Sequence, residues 1–274
     1  MFAFFLIKFF VFIFGLCIGS FLNCVIYRLS LDDSSLWKNL GGLQNRSYCP
    51  HCKHPLMWLD LIPVFSFLFL KSKCRYCAQK ISIQYPIIEI LTGLIFLLIF
   101  IFNPPAGGSI INQFIIYQFI NLFFLFYIAS VLIVIFVYDL KYYLIPDKIL
   151  FPAIAVAFAY RLFHFPSIIN YLGAVLIAFT FFGVIYLISR GRWMGFGDVK
   201  LAVLLGLLLG FPVILAGLFL SFFFGAIIGL GLILFGKKGL KSQVPFAPFL
   251  IIGTFVALFW GEKIINWYTH FLIF

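Results

Sequence analysis

Leu122-Phe123-Phe124-Leu125-Phe126-Tyr127-Ile128-Ala129-Ser130-Val131-Leu132-Ile133-Val134-Ile135-Phe136-Val137-Tyr138-Asp139 is an uncharged run that ends on a carboxylate. A helix crossing a bilayer needs roughly 17–25 mostly apolar residues, and the stretch near 114–137 supplies them. The fold class follows: an all-α, polytopic membrane helix bundle. The aspartate at its end carries a second message. An ionisable group at membrane depth is costly, so its default reading is functional.

The same pattern recurs along the chain. Of the 274 residues, 65% are hydrophobic and only 10% charged, against about 45–50% apolar in a soluble domain. The mean hydropathy is +1.18. About eight spans are expected, near 4–26, 84–102, 114–137, 148–163, 168–189, 198–210, 212–235 and 244–261. The fourth and sixth are short. The junction Gly210-Phe211-Pro212 also leaves room for seven spans and a re-entrant piece. The amphipathic tail from Asn266 to Phe274 is expected at the interface. The first segment lacks a basic n-region followed by a small-residue cleavage site, so it reads as a retained span. Most of the 40 Phe are read as packing and lipid contact.

Charge gives the orientation. Of the 19 Lys and Arg, all but Lys8, Arg161 and Lys263 fall in alternate loops. The first loop holds Arg28, Lys38, Arg46, Lys53, Lys71, Lys73, Arg75 and Lys80. Lys141 and Lys148, then Arg190, Arg192 and Lys200, then Lys237, Lys238 and Lys241 follow on the same side. The positive-inside rule puts these loops in the cytoplasm and both termini outside. The net charge of +11 is then a topology signal suited to anionic lipid, and no nucleic-acid partner is expected.

The first loop, about 29–83, contains Cys49-Pro50-His51-Cys52 and Cys74-Arg75-Tyr76-Cys77. Two CxxC pairs match a zinc-ribbon-like site of four thiolates, which leaves no open position and makes the metal structural. Two redox or disulfide pairs are the alternative, disfavoured in a reducing cytoplasm. His51 and His54 are substitute ligands that four thiols make unnecessary. Cys17 and Cys24, inside the first span, read as small apolar packing. Between the pairs, Trp58 to Leu70 is apolar, too short to span and basic at both flanks. It is expected at the membrane surface or against the bundle.

A second carboxylate, Asp198, sits in Met194-Gly195-Phe196-Gly197-Asp198-Val199-Lys200. The charge pattern puts it on the same side as Asp139. Two facing carboxylates cannot both ionise cheaply, so one keeps a proton. The ionised one can activate water against a peptide carbonyl, while the other hydrogen-bonds that carbonyl and protonates the leaving amine. Gly195 and Gly197 allow a bend and a close backbone approach, or are simply a flexible turn. Asp147 reads as the N-cap of the fourth span. Glu89, inside the second span, requires a partner, either a basic residue of the cysteine loop or a substrate group. Lys200 either steadies Asp198 or snorkels to headgroups. Asp32, Asp33 and Ser34 read as a solvated capping run, or as a source of local attraction for a basic substrate.

These residues resemble the prepilin peptidases, the type IV leader peptidases of bacteria. The resemblance rests on Gly19-Ser20-Phe21-Leu22-Asn23, the CxxC pairs, Gln84-Tyr85-Pro86 through Glu89, the spacing of Asp139 to Pro146-Asp147, and Met194 to Leu201. Pro245-Phe246-Ala247-Pro248-Phe249 is similar to a late family motif, with Ala247 where Gly is expected. The resemblance implies cleavage of the basic leader of prepilins or pseudopilins after a Gly at the cytoplasmic membrane. It also implies N-methylation of the new terminus, usually Phe, from S-adenosylmethionine. It implies Asp139 and Asp198 as catalytic residues. The domain expectation is 1–28 first span, 29–83 cysteine loop and 84–274 peptidase bundle. Two rivals use the same acids: a signal-peptide-peptidase-like GxGD enzyme, and a proton-coupled transporter. A non-catalytic pilus or secretion scaffold is a third.

Overall fold

The structure, a computed structural model of the chain, describes residues 2–30, 47–103, 112–163, 168–234 and 244–273. Asp32, Asp33, Ser34 and the Lys237, Lys238 and Lys241 cluster lie outside the described residues. Regular structure among the described residues is helical. It comprises α1 (Phe2–Leu29), a 3-10 turn (Trp58–Leu61), the short α2 (Phe65–Phe69), α3 (Gln84–Phe102), α4 (Asn112–Tyr142), α5 (Asp147–Leu162), α6 (Ile168–Ser189), α7 (Phe196–Leu209), α8 (Val213–Leu234) and α9 (Ala247–Ile273).

Every expected span is a helix, and six of them are long and apolar enough to cross a membrane: α1, α3, α4, α6, α8 and α9. The chain is a multi-pass membrane protein. The remaining two, α5 with 16 residues and α7 with 14, rise about 24 and 21 Å, short of a hydrocarbon core of about 30 Å. The eight expected spans are thus six long helices and two short ones, the short pair being the fourth and sixth, as the sequence indicates. At the C-terminus α9 continues through Asn266 with no Gly or Pro to interrupt it, and Trp267 stacks on Phe271 one turn later, 6.1 Å between centroids. Likewise α4 runs past Val137 to Tyr142, with Tyr138 against Tyr142 at 4.6 Å. Asp139 thus lies in the last helical turn.

The chain divides into two compact units, Met1–Val134 and Ile135–Phe274. In the first, α1 packs along α3. Gly15 and Gly19 sit one turn apart on α1. A Cβ at either would stand 2.7 Å from a Cα of α3, that of Gly93 or Glu89. Small residues are what let two backbones come this close in lipid. Phe96 stacks flat on Phe126 at 4.2 Å, with Phe14 tilted against both. On α1, Cys17 is exposed and Cys24 half-buried.

In the second unit, α7 is the hub. It packs against α5, α6, α8 and α9. Val199, Leu201, Ala202, Leu204, Leu205, Leu207 and Leu208 are all buried, as expected of a helix that is apolar on every side. A short helix inside a bundle needs partners for its last carbonyls. Arg161 supplies them, donating to Leu207 O at 3.0 Å and Leu208 O at 2.9 Å, while its guanidinium lies 3.8 Å over the Tyr171 ring. Gly210, at φ +70, then ends the helix.

Candidate active site and metal centre

Asp139 is 6% exposed and Asp198 8% exposed, and both belong to the second unit. Asp139 sits in the last turn of α4, where Tyr143, at φ +56, turns the chain out of the helix. Pro146 is extended and opens α5. Asp198 sits in the first turn of α7, behind the extended N-cap Gly195 (φ −75, ψ 152). The two carboxylates lie within electrostatic reach of each other. Each also faces a backbone amide at the start of a helix: Asp139 that of Ala247, which begins α9, and Asp198 that of Gly195, ahead of α7. Helix N-termini carry unsatisfied N–H groups and partial positive charge, so they hold a carboxylate in place without a counter-cation.

The two glycines do different work. Neither has a positive φ, so neither is needed for backbone freedom. A Cβ at Gly197 would stand 3.2 Å from Ile145 Cβ and Cδ1, so Gly197 is there to let the 143–146 loop pack on α7. A Cβ at Gly195 would meet nothing nearer than 3.9 Å, where it finds Asp198 Oδ2. The space beside the dyad is therefore open at Gly195.

The supporting acids have partners the sequence did not reveal. Asp147 is not a cap: the N-cap residue of α5 is Pro146 and there is no side-chain cap bond. Its carboxylate pairs with Lys200 Nζ, which reaches back across the α5–α7 contact. Lys200 also sits 5.4 Å over Phe151 and 5.6 Å over Phe196. Its partner is thus Asp147 rather than Asp198. Glu89, buried in α3 of the first unit, accepts a 2.7 Å hydrogen bond from the Val64 amide and one from the Ser20 hydroxyl. In place of the basic residue or substrate group expected, the cysteine loop supplies a backbone donor. Sequence reasoning also missed the Ala247 amide. The available signal was Pro245 and Pro248 flanking the start of an apolar run, which marks a helix N-terminus.

The four cysteines of the loop converge. All four Sγ atoms lie within 4.8 Å of one another, with Cys49 and Cys77 at 3.9 Å. Zinc–thiolate bonds of about 2.3 Å place sulfurs about 3.8 Å apart on a tetrahedron, so the donor set fits a metal ion. Each CxxC forms the same knuckle. Lys53 N donates to Cys49 O and Ala78 N to Cys74 O, both at 2.9 Å, with Lys53 and Ala78 at positive φ. Burial raises the Cys49 thiol, but the backbone amides of Cys52 and His51 outweigh it and bring it down to about 7. The Gln79 amide favours the Cys77 thiolate, yet burial and the three other sulfurs win and push it up to about 11. Four sulfurs this close need a cation to be thiolates together. His54 is engaged elsewhere, stacked on Tyr76 at 3.7 Å with Nδ1 2.8 Å from Pro55 O.

Residues 13–102 match the bacterial peptidase A24 N-terminal domain, and residues 126–230 match the type IV leader peptidase family. The prepilin leader peptidase/N-methyltransferase of Aeromonas hydrophila is 33% identical over 285 residues, covering 96% of this chain and 94% of that protein. The chain belongs to the type IV leader peptidase family. Its likeness to the family is spread over the whole length. The protein of the same name from Bacillus subtilis (strain 168) is 34% identical over 262 residues, 94% of this chain and 96% of its own. That from Legionella pneumophila is 30% identical over 280 residues, 93% and 92%. The N-terminal family match contains the four cysteines and Glu89, and the leader-peptidase match contains Asp139 and Asp198. No solved structure matches.

Proposed function

We propose that this leader peptidase cleaves the leader of type IV prepilins or pseudopilins through Asp139 and Asp198, and N-methylates the terminus it exposes. The observation that carries the proteolytic reading is the buried carboxylate pair, each member facing a helix-start amide and each within reach of the other. One carboxylate takes a proton from water as that water attacks the scissile carbonyl. The other, protonated, donates to the carbonyl oxygen and then passes its proton to the leaving amine. The two titrate as a unit, so the roles belong to the pair. Gly195 leaves open the space this water and substrate backbone need. Leu144, Trp193 and Phe196, close in sequence to the two aspartates, are exposed and suit a hydrophobic substrate segment.

The positive-inside pattern supports an inner-membrane location with the cysteine loop and the dyad on the cytoplasmic side and both termini outside. Cys49, Cys52, Cys74 and Cys77 hold zinc, which when bound cross-links the two knuckles and leaves no position for substrate. S-adenosylmethionine is the methyl donor by family likeness. Among the described residues no strand leads into a glycine-rich turn of the dinucleotide-binding kind, so no residue is assigned to it.

The test is cleavage of a prepilin-type substrate by the purified protein in detergent. Wild type cuts after the leader Gly. Asp139→Asn and Asp198→Asn keep their helical signal and lose activity on the order of 10²–10⁴-fold. Cleavage by both variants at the wild-type rate would remove the dyad.

A further inference from the structure

The segment Met57–Leu70 takes no part in the proteolytic proposal, yet Met57, Trp58, Phe65, Leu68 and Phe69 are 58, 73, 52, 63 and 82% exposed. A loop in water does not hold so much apolar surface outward without a partner. Nor is this segment free to turn inward. The Asp60 carboxylate, its side chain 3% exposed, accepts from Arg75 Nε at 2.8 Å, the Tyr76 hydroxyl at 3.1 Å and the Met57 amide at 3.1 Å. That ties the 3-10 turn to the second CxxC. The Val64 amide, held at φ +61, donates to Glu89.

The Val64–Glu89 bond fixes the depth. Glu89 stands five residues into α3, about 7–8 Å along its axis at 1.5 Å per residue. With 19 residues, α3 is only about 28 Å long and has no length to spare against a core of about 30 Å. Glu89 must therefore enter the membrane with the rest of α3, and Val64 is held beside it. The exposed aromatics on either side of Val64 sit at the boundary of lipid and water, the depth that Trp and Phe favour in interfacial segments.

Charge names the surface. Lys71, Lys73, Arg75 and Lys80 follow the segment and are exposed, while its single acid, Asp60, is consumed by Arg75. We propose that Met57–Leu70 is an interfacial anchor for an anionic leaflet. Trp58, Phe65, Leu68 and Phe69 enter the headgroup–acyl boundary, and Lys71, Lys73 and Lys80 rest on lipid phosphates. The spans already hold the protein in the bilayer. The anchor's work is to hold the cysteine module flat against the membrane.

The test uses the full chain in nanodiscs. The difference in emission between wild type and Trp58→Phe isolates Trp58. In phosphatidylglycerol discs with brominated acyl chains, Trp58 loses more than about half its emission to bromine and is shielded from aqueous iodide. Phe65→Ser with Phe69→Ser, at unchanged zinc content, restores most of it. Replacing Lys71, Lys73 and Lys80 by Gln, or adding salt, weakens the quenching in anionic discs. Trp58 that is open to iodide and untouched by bromine overturns the anchor. So does Trp58 that becomes shielded only when a prepilin-type peptide is added, since the surface would then be a substrate dock. Quenching of equal size in zwitterionic discs, unaffected by the lysine changes, overturns the choice of an anionic leaflet.

Discussion

Gly195 and Gly197 stand two residues apart in one motif, and the structure assigns them opposite failures when each becomes Ala. At Gly197 the new methyl would lie 3.2 Å from two carbons of Ile145, and overpacking of this kind costs about 1–3 kcal/mol. The gain in helix propensity from Gly to Ala, about 0.5–1 kcal/mol, offsets only part. Gly197→Ala therefore lowers the melting temperature, by about 2–4 °C per kcal/mol for a chain of this size. Trimming the neighbour in the double variant Gly197→Ala/Ile145→Ala relieves the contacts with Cδ1 and Cγ1 and leaves only that with Cβ, so part of the cost returns, with a coupling of about 1 kcal/mol. At Gly195 the φ of −75 suits any residue and no atom lies nearer than 3.9 Å. The weaker N-cap costs about 0.5 kcal/mol, so the melting temperature barely moves. Yet the methyl occupies the space beside Asp198 Oδ2, where water and the substrate backbone must come. Cleavage should fall on the order of 10²-fold, the size of a misplacement of about 1 Å. The assay pairs thermal unfolding in detergent with kcat/KM on a prepilin-type substrate. A Gly195→Ala enzyme that cuts like wild type would refute the open-space reading. Strict additivity of Gly197→Ala and Ile145→Ala would refute the packing reading.

The other expectations concern the groups around these sites. Glu89→Ala leaves the half-buried Val64 amide without its acceptor, a loss of about 1 kcal/mol, and should expose the 57–70 segment to limited proteolysis while the cysteine site keeps its metal. Lys200→Gln breaks the pair with Asp147, whose side chain is 52% exposed. Such a pair is worth about 0–1 kcal/mol, so thermal unfolding should shift little, and less still in high salt. Elemental analysis should find one zinc per chain, with Cys49→Ser and Cys74→Ser losing it and retaining the helical content of the spans by circular dichroism.

The spans were legible because a bilayer allows one reading of a long uncharged run, and the cysteines because their spacing is close to a ligand list. The pairing of Asp139 with Asp198 was suggested by the charge pattern, since both fall on the side where Lys and Arg accumulate. Partners across the fold were not legible. Lys200 is two residues from Asp198 and looked like its counter-charge. A helix turns about 100° per residue, so that spacing sends the lysine away, and it meets Asp147 instead. Glu89 found a backbone amide, and backbone donors leave no mark in a sequence. Asp147 looked like a cap because acids favour that place, but Pro146 before it took the capping position.

The partners also separate the two acids proposed for catalysis from the others. Asp60 is met by Arg75, Tyr76 and an amide, Asp147 by Lys200, and Glu89 by an amide and a hydroxyl. Each of these is occupied by a group that the resting protein supplies. Asp139 and Asp198 are held differently. The amides of Ala247 and Gly195 orient them, and among the described residues no ion pair is formed by either, while Asp198 feels the charge of Asp139. An oriented acid with no counter-cation keeps the capacity to exchange a proton, which a salt-bridged acid has lost. Facing each carboxylate with an amide at the start of a helix therefore fixes its geometry and leaves its protonation free to change, which a two-carboxylate hydrolysis requires of both.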